Sequence, residues 1–378
     1  MLSLQGFDPE QFLAEFWQKK PVLYRQALPG FTTVISPEEL AGLACEEGVH
    51  SRMVIEKDAE KPWQLSYGPF KEEDFLSLPQ THYSLLVSEC EKWLPELHEL
   101  LECFNFIPRW RLDDLMISYA PEHGSVGPHI DDYDVFLVQA NGKRRWSIIE
   151  TVTEDPEQIE GIDLALMKYF DADQEWVLEP GDMLYLPPKI PHHGVAVGDG
   201  CMTYSVGYRA PTFGAMIDAI MQQASQKGIT EKRYNDPALH PRSEPFSIAR
   251  DDIEQAKAVV RSFLDQCDDL WPVALGCLSS DVTPANDIQG IELEDFDQAC
   301  QYQWQRHPDS KLFYHLEAEL TLFCNGTHHK LPNSNEAHSL CRALCEQESI
   351  DFNSLEVTGE LQELVLGMIN QFVLIPDE

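Results

Sequence analysis

The sequence predicts a mainly β fold with α additions: a double-sheet jelly roll, then a helical region, then a winged-helix-like module at the carboxyl end. Three observations carry this prediction. Short strand-like runs bounded by turn residues follow one another from Arg109 to about Gly207, the pattern of a small antiparallel roll. Within that series His129 and Asp131 stand two residues apart, the spacing that puts two side chains on one face of a strand. After Ala210-Pro211 the apolar period changes from strand to helix.

The elements follow in chain order. Phe12, Phe16 and Trp17 mark one side of a short helix over Pro9 to Lys19, and Pro21 turns the chain into an extended strand through Val22-Leu23-Tyr24. Ser36 with Pro37 reads as a capped helix start. Strand-like sequence from Arg52 to Leu86 and a helix over Pro95 to Cys103 precede the main series. That series is expected to contain Val135 to Ala140, an Asn141-Gly142 hairpin turn, Arg144 to Ile149, Met183 to Leu186, Gly194 to Val197 and Met202 to Tyr208. Such a roll, with an inward metal site, is of the cupin kind. Phe213, Met216, Ile217, Ile220 and Met221 recur at helical spacing, as do Ile253, Ala256, Val259, Val260, Phe263 and Leu264. Those two stripes offer more apolar surface than a small helical segment buries alone, so a homodimer through them is expected. The last unit is strand-like from Leu312 to Cys324, turns at Asn325-Gly326, continues through Thr327 to Leu331, and adds a helix over Ser334 to Cys345 and one over Glu360 to Asn370 capped by Thr358. The expected divisions are residues 1–210, 211–285 and 286–378.

Composition narrows the function classes. At 378 residues with 43% hydrophobic and 10% aromatic content, the chain can bury two or three cores. The 27 Lys+Arg against 64 Asp+Glu give a formal charge of −37, a field that repels nucleic-acid phosphate and anionic lipid and attracts basic partners. The helices over Ser334 to Cys345 and Glu360 to Asn370 contain Arg342 and His338 as their basic residues, which argues against DNA binding by the terminal module. No run of about 18 apolar residues could span a membrane, and no membrane partner is expected. The ten cysteines form no Cys-x-x-Cys pair, and Met1 to Phe16 show no basic-then-apolar leader pattern, so a cytoplasmic protein with reduced thiols is expected. His328-His329 are expected at the surface rather than on a metal.

The chemistry centres on Gly127-Pro128-His129-Ile130-Asp131. Both ligand types can face inward from one extended segment while Asp132 turns away. A third ligand is best sought at the end of Glu179 to His192, where a Pro-Gly turn opens an apolar strand and prolines stiffen the loop before His192 and its rival His193. Two histidines and a carboxylate form the facial triad of non-haem Fe(II) oxygenases, though zinc or manganese suits the same set.

The segments Phe16-Trp17-Gln18-Lys19-Lys20-Pro21-Val22, Trp110 to Ser118, Gly127 to Asp131, Tyr133-Asp134-Val135-Phe136, Gly142-Lys143-Arg144-Arg145-Trp146 and Tyr204 to Pro211 resemble the bacterial ribosomal oxygenases of the Jumonji-C cupin family. The resemblance implies an Fe(II)- and 2-oxoglutarate-dependent arginine hydroxylase using O2, with the basic large-subunit ribosomal protein sixteen as substrate. It also implies that residues 1–210 are the JmjC/cupin catalytic domain, 211–285 a helical dimerisation region and 286–378 a winged helix. By this resemblance the iron ligands fall on His129, Asp131 and His192, with His192 preferred to His193. The 2-oxoglutarate residues fall on Arg144 and Ser118, and the substrate-arginine pocket on Asp114, Met116, Tyr133, Ser205 and Tyr208. Strand alternation agrees that Arg144 and Trp146 share a face opposite Lys143 and Arg145. Asp132 departs from the family pattern, which has glutamine there. The readings set against this one are a metal-binding cupin without oxygenase activity and a winged-helix regulatory protein.

Overall fold

A computed structural model describes residues 2–56, 63–237, 239–241, 243–282, 291–317 and 319–377. It divides into two compact units, Met1–Ala210 and Pro211–Glu378. The expected division between residues 285 and 286 lies outside the described residues.

The first unit is built on strands β1 (Val22–Tyr24), β2 (Ser51–Glu56), β3 (Trp63–Tyr67), β4 (Tyr83–Val87), β5 (Leu112–Ala120), β6 (Asp134–Ile148), β7 (Gln174–Leu178), β8 (Met183–Leu186) and β9 (His192–Tyr208). They pair in the order β1-β8-β6-β9-β5-β4-β2-β3, with β7 on β6. All these pairings are antiparallel. The fold is a double-stranded β-helix of the jelly-roll class. Alternation sorts β6 between two cores: Phe136 and Val138 join the large cluster with Leu115, Ile117, Tyr185 and Val206, while Val135 and Leu137 join Trp146, Ile148, Leu184 and Leu186.

The expected hairpin at Asn141-Gly142 is not one. β6 runs unbroken through it beside an equally continuous β9, and the register shifts between Gln139 and Asn141 and again between Asn141 and Lys143. Gly142 has φ +61°, and a Cβ there would lie 2.9 Å from the Cys201 Cα and the Gly200 carbonyl oxygen. The left-handed glycine that a tight turn requires serves equally in a β-bulge, and here it bends the two longest strands from one sheet into the other. Asn141 Nδ2 donates to Gly200 O at 2.8 Å and secures the bend.

Helices α1 (Pro9–Glu15), α2 (Pro37–Leu43), α3 (Glu72–Leu76) and α4 (Leu97–Glu102) cover this framework. Asp8 caps α1, accepting from the Glu10 and Gln11 amides, and Ser36 with Glu39 forms a capping box on α2. Phe12 drops from α1 onto Tyr185 and Phe136, with ring centroids 4.8 and 5.4 Å away. Burying such a ring contributes about 2–3 kcal/mol. Beside it the buried Asp134 accepts from the Tyr185 hydroxyl at 2.6 Å and from Gln18 Nε2 at 2.9 Å, tying the amino-terminal segment to the start of β6.

The second unit contains α5 (Phe213–Gln226), α6 (Arg250–Asp265), α7 (Trp271–Ser280), α8 (Phe296–Ala299), β10 (Trp304–Arg306), β11 (Leu312–His315), β12 (Leu320–Cys324), β13 (Thr327–Leu331), α9 (Asn335–Glu346), α10 (Glu360–Asn370) and β14 (Leu374–Pro376). The stretch read as one strand from Leu312 to Cys324 is two, and Asn325-Gly326 makes the expected hairpin, with Cys324 opposite Thr327. Ser334 caps α9. Thr358 does not cap α10: Gly359 holds the cap position, and Thr358 offers its carbonyl to the Leu361 amide instead. The stripes are covered in part: Ile220 of α5 is buried in a cluster against which Phe263 and Leu264 of α6 pack, whereas Phe213, Ile253 and Val260 stand 86%, 46% and 58% exposed.

Candidate metal centre

The chain leaves β5 at Ala120 and reaches β6 at Asp134 through a loop that touches the sheet at His129. The His-x-Asp pair therefore lies in an extended loop, not in the expected strand. One isolated bridge replaces the strand: the His129 amide donates to His192 O at 3.0 Å and the His192 amide returns to His129 O at 2.9 Å. Gly127 makes the approach possible, because its φ is +83° and a Cβ would meet Leu166 Cδ1 at 2.7 Å. The main chain of Asp131 is held by the Lys189 amide at 2.7 Å. Asp132 points to solvent and pairs with Lys189 Nζ.

Each histidine is oriented by its own loop. His129 Nδ1 donates to Gly127 O at 3.0 Å, and His192 Nδ1 to Ile190 O at 2.9 Å. That fixes the tautomer and leaves each Nε2 as a lone-pair donor for a metal, the arrangement that histidine ligands require. The two Nε2 atoms lie 3.8 and 3.5 Å from Asp131 Oδ2. All three ligand atoms fall within 4.8 Å of one another, the one such group among the described residues. His192 is 3% exposed, and burial, then the His129 ring, push its pKa down to about 4 against the pull of Asp131. It is held neutral, as a ligand must be. His193 turns the other way, with Nε2 3.0 Å from Ser125 Oγ and its ring against Phe170.

Arg144 faces inward from β6 as alternation predicts, while Lys143 and Arg145 pair outward with Glu179 and Glu175. Its guanidinium is buried, with Nη1 3.4 Å from Ser118 Oγ and 5.5 Å from the Trp146 ring. Its Nε has no hydrogen-bond partner, a donor held ready for an acidic group. Ser118 itself donates to Thr203 O at 3.3 Å.

Asp114 and Met116 lie on β5, and Met116 is opposite Ser205 of β9. Tyr133 follows Asp131 at the end of the loop, with its ring under the Arg209 guanidinium at 5.0 Å. Burial, then Asp113, raise the Asp114 pKa to about 6. Nearby, the half-buried Glu91 accepts from the Leu115 amide at 2.9 Å, and desolvation lifts its pKa to about 7. Tyr208 is the exception among the expected site residues. It faces the large core, 2% exposed, with its ring against Trp17 and Phe136. The residue on the pocket side is its neighbour Arg209, whose guanidinium lies 5.0 Å over the Tyr133 ring. Sequence reading missed Arg209, which counting by twos from Ser205 does reach, and Glu91, which lies in a short turn, Cys90–Lys92, outside the strands that alternation sorts.

A jelly roll carrying two histidines and a carboxylate on its inner face defines a JmjC-type cupin, and residues 99–216 match the JmjC domain family while residues 264–374 match the ROXA-like winged helix. The ribosomal protein uL16 3-hydroxylase of Escherichia coli is 38% identical over 255 residues, which cover 68% of this chain and 67% of that one. A probable ribosomal oxygenase of Haemophilus influenzae is 42% identical over 224 residues, 57% of this chain and 53% of its own. The crystal structure of Escherichia coli YcfD superposes over the full length of both chains with TM-score 0.84 at 29% identity, and that of the same ribosomal oxygenase with cobalt and 2-oxoglutarate with TM-score 0.82 at 29%. The chain belongs to the ribosomal oxygenase family of JmjC hydroxylases.

Replacing His129, Asp131 or His192 by alanine should abolish metal binding in calorimetric titration without unfolding the roll, whose cores do not include the triad. His193→Ala should bind metal like the parent; a dead His193 variant would exclude His192 as the third ligand.

Proposed function

We propose that the protein is an Fe(II)- and 2-oxoglutarate-dependent oxygenase that hydroxylates an arginine side chain of a basic large-subunit ribosomal protein. The convergence of His129 Nε2, His192 Nε2 and an Asp131 oxygen within 4.8 Å carries this reading. His129, Asp131 and His192 would hold the ion and leave open positions on it for a co-substrate and oxygen. Arg144 and Ser118 fit a dicarboxylate: a buried guanidinium fork with a free Nε and an adjacent hydroxyl suit its distal carboxylate. Iron with 2-oxoglutarate and O2 would supply the oxidation: the co-substrate would be oxidised to succinate with release of CO2, one oxygen atom going to succinate and the other to the substrate C–H bond, which becomes C–OH.

The chain's own residues orient the reactants. Asp114 offers a half-buried carboxylate to a guanidinium, which would draw it into the ionised form that desolvation opposes. Met116 and the Tyr133 ring supply apolar and aromatic surface for the planar group, and Ser205 lines the strand opposite. The formal charge of −37 favours encounter with a basic ribosomal protein. The exposed stripes of α5 and α6, including Phe213, Ile217, Ile253 and Val260, support a homodimer through the helical region 211–285. The location expected for such an enzyme is the cytoplasm.

Intact-mass analysis of ribosomal proteins incubated with the enzyme, Fe(II) and 2-oxoglutarate should show one basic large-subunit protein gaining a single oxygen, mapped by fragmentation to an arginine. Gain at another residue type would contradict the arginine pocket. Arg144→Ala should weaken 2-oxoglutarate binding more than tenfold, about 1.5–3 kcal/mol, while sparing metal affinity; unchanged co-substrate affinity would remove Arg144 from the site. Light scattering should give twice 43.1 kDa, and a monomer at micromolar concentration would contradict the dimer.

A further inference from the structure

Between β6 and β7 the chain leaves the sheet for residues 149–173, a segment with no helix or strand of its own. It closes on β6, where the Asp173 amide donates to Ile148 O at 2.8 Å. In between, its main chain bonds the two loops that carry the triad at three points. The Met167 amide donates to Pro128 O at 2.8 Å, immediately before His129. The Ile149 amide donates to Pro191 O at 3.0 Å, immediately before His192. The Thr153 amide donates to Lys189 O at 3.0 Å, and the Lys189 amide donates in turn to Asp131 O at 2.7 Å. Lys189 stands at φ +65°, a region that a lysine keeps only where its surroundings fix it, and here both its amide and its carbonyl are taken.

The side chains repeat this pattern. Leu166 and Met167 are the two buried residues of the segment. Leu166 lies so close to Gly127 that a Cβ on that glycine would meet its Cδ1 at 2.7 Å, and the Gly127 carbonyl is the one that accepts from His129 Nδ1 and aims the ring. The segment also pairs with itself around the isolated bridge of Gln158 with Met167: the Ile159 amide donates to Leu166 O at 2.9 Å and the Lys168 amide to Glu157 O at 2.8 Å. Those bonds belong to the neighbours of Met167, so its own amide is left to the metal loop.

We propose that residues 149–170 are a strap that positions the metal triad, with Leu166 and Met167 as positioning residues for the loop of His129 and Asp131. The proposal rests on the metal-centre reading above and deepens it. The β-bridge sets the separation of His129 and His192, and a second attachment at Pro128, made by a different element, removes rotation of the loop about that bridge. Groups that hold ligating side chains in place are typically worth about 10–100-fold in metal affinity.

The test is titration of Co(II) alone into the metal-free full chain, read by calorimetry and by the visible absorption of the bound ion. Met167→Pro deletes the donor to Pro128 O and keeps both internal bonds of the strap; it should weaken Co(II) binding about tenfold with an altered absorption band. Met167→Leu, which keeps the amide, should bind like the parent. Leu166→Ala, which empties the space against Gly127, should move affinity and band in the same direction as Met167→Pro, and Leu166→Met, which refills it, should restore the parent values. Tyr169→Ala, at a side chain 67% exposed on the same segment, should bind like the parent. Thermal unfolding of the metal-free variants separates loss of fold from loss of orientation; if Met167→Pro unfolds early, the two Leu166 variants decide. Parent-like affinity and spectrum in a folded Met167→Pro, or in Leu166→Ala where Met167→Pro does not fold, would overturn the strap alone. Failure of the parent to bind Co(II) would overturn the metal-centre reading and the strap with it.

Discussion

The reciprocal backbone pairing of His129 with His192 is the constraint on which the rest of the site depends. It is a single β-bridge between a loop and the first residue of a long strand, and it brings two imidazoles to a centroid separation of 4.2 Å. Neither histidine would be placed by side-chain contacts alone, since each ring is aimed by a hydrogen bond to a carbonyl of its own loop. The bridge sets the distance and the loops set the direction. Burial of His192 then keeps its imidazole neutral, so that ring presents a lone pair rather than a second proton.

What makes such a bridge rigid is the long β6–β9 pair beneath it. These strands bend at the bulge around Asn141 and Gly142, so one continuous pair serves both sheets and carries Arg144 on the wall adjoining the triad. A second bulge, between Leu112 and Leu115, reorients the edge of the pocket. Both irregularities sit where the regular period-2 ladder would have put side chains on the wrong face. The roll supplies stiffness, and its two faults supply the shape of the pocket.

Those faults also mark the limit of what sequence reading recovers. The His-x-Asp spacing, the proline-bounded loop before His192 and the alternation that turns Arg144 inward are local patterns, and each survives into the structure. Asn325-Gly326 makes the hairpin its residues favour, yet Asn141-Gly142 makes a bulge, because positive φ at glycine is required by both and only the partner strand distinguishes them. Tyr208 illustrates the same limit from the other side. Counting by twos from Ser205 along β9 reaches Gly207 and then Arg209, so alternation itself assigns Tyr208 to the core, and only the family resemblance placed it in the pocket. Thr358 failed for a different reason: a cap requires backbone geometry at its own position, and Gly359 takes that place with φ +56°.

The central claim is that one divalent ion is held jointly by the loop residues His129 and Asp131 and the strand residue His192. Anomalous diffraction at the metal edge from crystals grown with Mn(II) tests it most directly. A single peak per chain is expected, in contact with both Nε2 atoms and an Asp131 carboxylate oxygen. A peak on His193, a peak at His328 and His329, or no peak near Asp131 would contradict it.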